Sequence, residues 1–234
     1  MNSNKTLLVV LNKNEELGLK EILPRINKNL FKEIICIDGN STDNSAAVLD
    51  SFAIKVLAQN SSGRGAAFKL AFKYAQNRGF DYLLFFSSDG NEDPDDLEKF
   101  INLMDLNPDL IIASRMLPGS HNEEDDKFLR PRKMGNKVFS FFAWVTFSKF
   151  KSKYISDPIN GFRALRFSSW SDKQFRSDNF SIEFEISIKA YKYNYKVVEF
   201  ETKENERISG KSGARAIKTS SAMIKTLILE FFNK

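Results

Sequence analysis

Three short polar segments of the sequence carry residue types that bind nucleotides, phosphates and divalent cations. The first, CIDGNSTDNS at residues 36–45, places Asp38 at the end of an apolar run, ahead of Gly39 and a polar turn. An aspartate at such a strand end can hold a ribose or a base by hydrogen bonds. An ordinary strand-to-helix turn has the same composition, so this segment alone leaves both interpretations open.

The second segment, SSGRGAAF at residues 61–68, combines small residues with a base at the start of a predicted helix. Gly63 and Gly65 let a backbone approach a ligand, and the amides of a helix start favour an anion. Arg64 is placed to pair with a phosphate. The segment lacks the Gly-Lys-Ser/Thr of the nucleoside triphosphatases and does not match G-x-G-x-x-G, so it indicates an anion site only weakly.

The third segment, FFSSDGNEDPDDL at residues 85–97, has Asp89 just past an apolar run, followed by Gly90 and Asn91. Hard oxygen ligands on a short turn suit Mg²⁺ or Mn²⁺, which also bind substrate phosphates. A capping or turn role for Asp89 is the alternative. The acids that follow are interpreted as helix-start residues that complement the helix dipole: Glu92, Asp93, Asp95 and Asp96.

A fourth segment, SDPINGFRAL at residues 156–165, contains Asp157 as its one candidate general base. Basic residues are scattered over predicted loops and helix starts, where each is either an ordinary surface residue or a ligand for an anion: Arg115, Arg130, Arg132, Lys133, Arg207 and Lys211.

The first half of the chain alternates strand-like and helix-like patterns, which predicts an α/β fold with a mostly parallel, twisted sheet and helices on both faces. The predicted strands are residues 6–11, 33–38, 54–57, 81–89 and 109–114. The predicted helices between them are residues 15–28, 41–52, 65–79 (closed by Gly79) and 94–104. Ligands of such sheets bind beyond the carboxyl ends of the strands, which is where the polar segments fall.

The second half is less regular. It predicts a loop over 115–130, a helix over 132–150, strands over 161–167 and 195–202, and a helix over 180–194 for which a strand is the alternative. A last, amphipathic helix is predicted within residues 214–234, after a single domain at 1–213.

Composition excludes several classes of protein. The one cysteine, Cys36, excludes a disulfide framework, and the one histidine, His121, excludes a multi-histidine metal centre. No stretch reaches the ~20 apolar residues that span a bilayer, and the N-terminus has no secretory pattern, so we expect a cytoplasmic protein. The net charge of +5 is mild, and no nucleic-acid-binding signature occurs.

The charges are unevenly distributed. Residues 127–153 hold eight bases and no acid, and they enclose the apolar, aromatic run VFSFFAWVTFSKF at residues 138–150. Such a run flanked by Lys and Arg has the composition of a helix that lies on an anionic membrane, with a solvated face or a buried core helix as the alternatives.

Taken in order, these motifs resemble the family 2 glycosyltransferases of the GT-A fold. The resemblance rests on NKNEE, DGNSTDNS, GRGAAFKLAFKYA, SSDGNEDPDDL, IIASRMLPGS and DPINGFRAL, and more loosely on ENERISGKSG at residues 204–213. Within the family the chain is most similar to polyprenyl-phosphate (dolichol-phosphate type) sugar synthases.

This resemblance implies a role for each matching residue. The nucleotide-sugar, linked to UDP or GDP, would be bound by Asn12, Glu15, Asp38, Arg64, Ser88 and Asp89. The acceptor phosphate would be held by Arg115, Arg132 and Asn136. The metal, Mg²⁺ or Mn²⁺, would be bound by Asp89 and Asn91, and the catalytic group would be Asp89, Arg115, Arg132, Arg207 and Lys211. Ser87 stands where the family has the first acid of its Asp-x-Asp metal motif.

The implied reaction is inverting transfer of a sugar to a polyprenyl phosphate, by a protein peripheral to the inner face of the membrane. A phosphate acceptor is already anionic and needs no base, which suits a chain whose one candidate base, Asp157, precedes a proline. Phe139, Phe142 and Trp144 would then face the membrane or the prenyl chain. The alternative is metal-dependent transfer to a saccharide hydroxyl in surface polysaccharide synthesis, which would require a base.

Overall fold

The computed structural model describes residues 5–122, 125, 131–148, 150–208 and 216–233. Its strands are β1 (Thr6–Asn12), β2 (Glu33–Asp38), β3 (Lys55–Ala58), β4 (Tyr82–Ser87), β5 (Leu110–Ser114), β6 (Arg163–Arg166) and β7 (Val197–Glu201). Its α-helices are α1 (Glu16–Ile22), α2 (Ser45–Ser51), α3 (Arg64–Ala75), α4 (Asp96–Met104), α5 (Pro131–Ala143), α6 (Phe167–Trp170), α7 (Ile182–Lys192) and α8 (Ala216–Phe232).

The strands form one seven-stranded sheet in the order β3-β2-β1-β4-β6-β5-β7. β1 pairs in parallel with both β2 and β4, and β5 pairs in parallel with β7. Only β6 among the described strands runs antiparallel to its neighbours, β4 and β5. The α/β fold with a mostly parallel sheet, predicted from the alternating pattern, is confirmed.

Side chains of the central strands alternate between two cores, one on each face of the sheet. Leu7 and Val9 of β1 pack with α3 and α7 on one face. Leu8 and Val10 pack with α1, α2 and α4 on the other. Because both faces of the central strands are covered, their sequences are continuous apolar runs.

Two predicted helices end earlier than expected, and each early end has a local cause. The helix predicted over 15–28 stops at Ile22 and continues as a 3₁₀ turn at Leu23–Arg25, since Pro24 cannot supply the N–H that an α-helix needs. The helix predicted to close at Gly79 ends at Ala75, and Asn77, with φ of 60°, already has a left-handed backbone.

The C-terminal helix α8 packs on α7 through ion pairs that lie at the edge of the core. Glu230, which is buried, lies 2.7 Å from Lys189 Nζ and 2.8 Å from Lys192 Nζ. The division of the chain at residue 213 stays a prediction. No helix among the described residues combines the length and the apolar character that crossing a bilayer requires.

Candidate active site

A cavity of about 1180 Å³ opens at the carboxyl ends of β1 and β4. Parallel strands bring their carboxyl ends to one edge of the sheet, so polar residues that are distant in sequence meet there. Eight of the predicted site residues line the cavity: Asn12, Glu15, Arg64, Asp89, Asn91, Arg115, Asn136 and Arg207.

Asn12 connects the ends of three strands. It lies opposite Asp38 in the β1–β2 pairing, and its Nδ2 donates to Asp38 Oδ1 at 2.8 Å. Its Oδ1 accepts from Ser88 Oγ, also at 2.8 Å. Asp38 in turn accepts from the Ser41 backbone N–H at 2.8 Å. Asp38 and Ser88 therefore orient Asn12 in the cavity wall, and their direct contact with a nucleotide stays a prediction.

Asp89 is buried at the floor of the cavity and faces a cation from a distant part of the chain. Its Oδ2 lies 2.6 Å from Arg207 Nη1, and its Oδ1 accepts from the Asn91 backbone N–H at 3.1 Å. The Asn91 side chain donates to the Asn205 carbonyl at 2.5 Å. The predicted metal residues and Arg207 of the predicted catalytic group thus form one cluster.

Residues 205–208 run beside residues 89–91 and hold Arg207 in place. The Asn205 N–H donates to the Asn91 carbonyl at 2.8 Å, and the Ile208 N–H donates to the Asp89 carbonyl at 3.1 Å. Gly90 lies beneath Ile208 with φ of 79°, and a Cβ there would come within 2.3 Å of Ile208 Cδ1. Glycine at position 90 is what allows this close packing.

Arg64 begins α3 and lies between two buried carboxylates. Its Nε is 2.5 Å from Glu183 Oε1, and its Nη2 is 4.0 Å from Glu92 Oε1. Gly65 has a different role from the one expected for it. A Cβ on Gly65 would meet the Ser177 carbonyl oxygen at 2.1 Å, so this glycine serves close packing of two backbones and not the approach of a ligand.

Glu92 was missed as a site residue. Its side chain turns back to the end of β4, where Oε2 accepts from the Ser87 backbone N–H at 2.6 Å. Burial raises the pKa of Glu92 to about 8, against the lowering effect of Arg64. The sequence gives no signal that separates Glu92 from the neighbouring acids at the helix start. Glu183, whose pKa is raised by burial although Arg64 and Arg163 oppose it, was missed for the same reason.

Asp157 is fully buried, and its carboxylate forms an ion pair with Arg115. Arg115 donates to it from the backbone N–H at 3.1 Å, from Nε at 2.8 Å and from Nη2 at 3.1 Å. Burial would raise the pKa of Asp157, but the charge of Arg115 and hydrogen bonds from Arg115 and Asn136 outweigh it and lower that pKa. A carboxylate held in this way is a support for Arg115 and is unsuited to act as a general base.

The residues predicted to bind the acceptor phosphate differ in their hydrogen bonds and in whether the structure describes them. Asn136 uses its Nδ2 to donate to Asp157 at 2.7 Å, while its buried Oδ1 has no hydrogen-bond partner among the residues that the structure describes. Arg115 also donates from Nη1 to Glu204 at 3.0 Å. Lys211 and the side chain of Arg132 lie outside the part of the chain that the structure describes.

The aromatic residues predicted to face lipid separate into three environments. Phe142 is 54% exposed on the outer surface of α5. Phe139 lines the cavity and packs edge-on against Phe184. Trp144 is turned inward, donates to the Ser152 carbonyl at 2.9 Å and packs against the core, so it does not face the outside as expected.

The polar part of the cavity continues into an apolar wall. That wall is formed by Phe139 of α5 together with Met223 and Ile224 of α8. Outside it, the same two helices expose further large apolar side chains: Met134, Val138, Phe141, Phe142, Ile228, Leu229, Phe231 and Phe232. We refer to these eight residues as the α5–α8 face.

Residues 7–172 match the sequence model of a protein family described as "Glycosyl transferase family 2". Among curated proteins, the chain is 29% identical over 125 residues to polyprenol monophosphomannose synthase of Mycolicibacterium smegmatis, covering 50% of this chain and 47% of that protein. It is 29% identical over 203 residues to dolichol-phosphate mannosyltransferase of Pyrococcus furiosus, covering 83% of this chain and 55% of that protein. The chain thus spans about half the length of these relatives.

Among solved structures, the chain resembles glucosyl-3-phosphoglycerate synthase of Mycobacterium tuberculosis, crystallised with Mn²⁺, UDP-glucose and phosphoglyceric acid. The TM-score is 0.75 at 15% identity, and the match covers 97% of this chain and 80% of that one. At this identity the likeness establishes the fold.

Proposed function

The chain belongs to the family 2 glycosyltransferases, and on that premise we propose that it transfers a sugar, with inversion, from a nucleoside diphosphate sugar to a polyprenyl (dolichyl-type) phosphate. One observation carries the proposal: a single cavity has a polar, charged floor and an apolar wall that continues into the exposed α5–α8 face. The floor suits a nucleotide-sugar, and the wall suits a prenyl chain. The names of the two curated relatives describe polyprenyl- or dolichyl-linked products, which agrees with this assignment.

The donor half of the cavity supplies charges where the reaction needs them. Breaking the bond between the sugar C1 and the diphosphate oxygen leaves negative charge on the diphosphate, and preorganised cations stabilise that charge in a dry site. Arg207 and Arg64 are two of the described cations that line this cavity, and Lys211 is proposed to join them. Asn12, supported by Asp38 and Ser88, and Glu15 are proposed to bind the nucleoside.

The donor set of the floor fits a divalent cation of the Mg²⁺ or Mn²⁺ type. Asp89 offers a carboxylate and Asn91 an amide oxygen, which are the hard ligands that these ions prefer. Within the described ranges, no three His, Cys, Asp or Glu side chains converge as a complete metal site. The floor therefore suits an ion that takes its remaining ligands from a diphosphate and water. When bound, such an ion would neutralise part of the leaving group's charge.

The acceptor half of the cavity offers cationic side chains for an anion, and its buried carboxylate, Asp157, is unsuited to act as a general base. Arg115 lines the cavity, and its guanidinium carries five N–H donors, of which three are engaged by Asp157 and Glu204. Two donors are not engaged by any described residue and are proposed to bind a phosphate oxygen, which can attack the sugar without losing a proton. Arg132 and Asn136 are proposed to complete the phosphate site.

The α5–α8 face is proposed to lie on the cytoplasmic face of a membrane, where a polyprenyl phosphate would be found. Exposed lysines border it, including Lys137, Lys151 and Lys225, and lysines near a bilayer are attracted to anionic lipids. An amphipathic helix binds such a surface by burying its apolar side chains in the headgroup region.

A transfer assay with matched acceptors tests the proposal. The protein is incubated with Mn²⁺ and a panel of labelled UDP- and GDP-sugars, and with a polyprenyl phosphate, the unphosphorylated polyprenol or a saccharide. We expect labelled lipid from the polyprenyl phosphate only, with one donor strongly preferred. Transfer to the saccharide or to the polyprenol would overturn the assignment of the acceptor. Calorimetry with the same donors tests nucleotide-sugar binding separately.

A further inference from the structure

The end of β4 carries a neutral residue where a second carboxylate would serve the cation site. Ser87 ends the strand and lines the cavity two residues before Asp89. A serine hydroxyl adds no charge, so Asp89 is the only acid contributed by the segment 87–89. A carboxylate from elsewhere would raise the number near the floor from one to two, and Mg²⁺ sites of this kind use one or two.

Glu92 supplies a carboxylate at the end of β4. It accepts a hydrogen bond of 2.6 Å from the backbone N–H of Ser87 itself, so one oxygen is fixed at the end of β4. Glu92 lines the same cavity as Asp89 and Asn91. The hydrogen bond closes a turn between residues 87 and 92, so the Glu92 carboxylate lies against the backbone of Ser87.

Among the described residues, the second oxygen of Glu92 has a cationic partner only at the limit of ion-pair distance. Oε1 lies 4.0 Å from Arg64 Nη2, beyond hydrogen-bond distance, and Arg64 is already 2.5 Å from Glu183. Only 11% of the Glu92 side chain is exposed, and a buried carboxylate is costly unless a cation compensates it. Glu183 Oε2 and Arg207 Nε belong to residues that line the same cavity, and both atoms are buried without a hydrogen-bond partner in the described part of the chain. The cavity floor thus has several polar atoms that a charged ligand would satisfy.

We propose that Glu92 supplies the second carboxylate of the divalent-cation site of Asp89, in place of an acid at position 87. This inference rests on the proposed function, because the cation is the one that accompanies the nucleotide-sugar. Glu92 Oε1 binds the ion directly or through one water, while Oε2 stays bonded to the Ser87 N–H. Mg²⁺ and Mn²⁺ sites of this kind use one or two carboxylates and take the other ligands from phosphates and water.

A four-variant cycle measures this role by metal affinity and not by activity. Mn²⁺ is titrated, with electron paramagnetic resonance detecting the free ion, into the wild type, Glu92→Gln, Ser87→Asp and the double variant, each with and without UDP. Glu92→Gln keeps an acceptor for the Ser87 N–H and removes the charge. We expect it to weaken Mn²⁺ binding by at least about tenfold, a loss that is typical for removal of a group from a metal site.

The double variant distinguishes two possible roles of Glu92, as a metal ligand or as a residue that only shapes the turn. If Glu92 acts in place of an acid at position 87, Ser87→Asp restores most of the affinity that Glu92→Gln removes, while a residue that only shapes the turn is not rescued in this way. Glu98→Gln on the exposed side of α4 is the matched control for lost charge, and we expect no change from it. If Glu92→Gln does not fold, Glu92→Asp replaces it, because the shorter arm withdraws the carboxylate and weakens Mn²⁺ binding.

The outcomes distinguish this inference from the proposed function. Unchanged Mn²⁺ affinity in Glu92→Gln, or the same loss with and without the Ser87→Asp change, overturns the role of Glu92 and leaves the glycosyltransferase proposal intact. If the wild type binds Mn²⁺ in a Glu92-dependent way but binds no nucleotide-sugar, the proposed function fails and the cation site stands.

Discussion

The two halves of the cavity are built by different means. The donor half is made by strand ends and the turns that follow them, and its residues Asn12, Asp38 and Ser88 contact one another because neighbouring parallel strands end together. The acceptor half is made by helices and by one buried ion pair, Arg115–Asp157, whose members are 42 residues apart. The donor half is thus fixed by the sheet, whereas the acceptor half depends on packing between distant segments.

The largest effect that tests this contrast is expected at the ion pair of the acceptor half. Asp157→Asn leaves the half-buried Arg115 with Glu204 as its remaining carboxylate among the described contacts, and breaking a pair with a fully buried member costs up to about 3–5 kcal/mol of unfolding free energy. We expect a large drop in the midpoint of thermal or urea unfolding. Below that midpoint, calorimetry should still detect UDP binding, because the donor half does not depend on this pair.

The contribution of the Asp157 charge to the free energy of unfolding is expected to depend on pH. The pKa of Asp157 is lowered in the fold, so its contribution is present above the ordinary Asp pKa and is lost as the pH falls through the lowered value. The unfolding curves of the wild type and Asp157→Asn should therefore converge at low pH. A constant difference at every pH would show that the charge of Asp157 does not stabilise the fold.

In the donor half, the largest effect is expected on catalysis. Asp89→Ala removes the carboxylate that faces Arg207, and loss of one such electrostatic group costs about 3 kcal/mol of transition-state stabilisation, on the order of 100-fold in kcat. Single-turnover transfer of labelled sugar measures it. Asp93→Asn is the matched control, since Asp93 pairs with Arg25 at 2.7 Å and does not line the cavity. Near-normal turnover of Asp89→Ala would reject the role of position 89.

A smaller effect is expected where residues 205–208 lie on the donor floor. Gly90→Ala forces a side chain into a left-handed backbone, at a cost of about 1–2 kcal/mol, and pushes Ile208 away from the floor. Because Ile208 follows Arg207, we expect kcat to fall more than the affinity for UDP-sugar. Gly79→Ala is the control for kcat, since Gly79 has a similarly left-handed backbone with φ of 69° and does not line the cavity. Equal effects at the two glycines would contradict the close packing described for Gly90.

The contrast between the halves also explains what the sequence predicted well. Apolar runs located the strands, and the rule that ligands bind beyond the carboxyl ends of parallel strands then indicated the segments that contain Asn12, Asp38 and Asp89. Asp89 and Arg207, 118 positions apart by their residue numbers, were brought together only by resemblance to a family. The sheet order, with β6 antiparallel between β4 and β5, has no local pattern that would have predicted it.

Sequence reasoning failed where a residue's role depends on a side-chain direction or a distant partner. Glu92 has the composition and position of a helix-start acid, and only its folded-back rotamer places it at Ser87. Asp157 was predicted as a candidate general base, but its carboxylate pairs with Arg115. Trp144 was predicted to face lipid, but its indole N–H donates to the Ser152 carbonyl and the ring points inward. Such contacts are set by tertiary packing, which hydrophobic periodicity does not encode.

The smallest effect that we predict concerns the outer side of the acceptor half. Phe142→Ser combined with Ile228→Ser removes two exposed apolar side chains from the α5–α8 face, so the fold should lose little stability. If that face lies in a bilayer, losing part of their burial should weaken binding to vesicles by about tenfold, which corresponds to about 1.4 kcal/mol. Flotation with vesicles containing an anionic lipid measures the bound fraction. Leu106→Ser is the control, because Leu106 is 52% exposed but precedes β5, at the opposite edge of the sheet from the cavity. Equal vesicle binding by the double variant and the control would show that this face does not meet the membrane, and the donor half would be unaffected by that result.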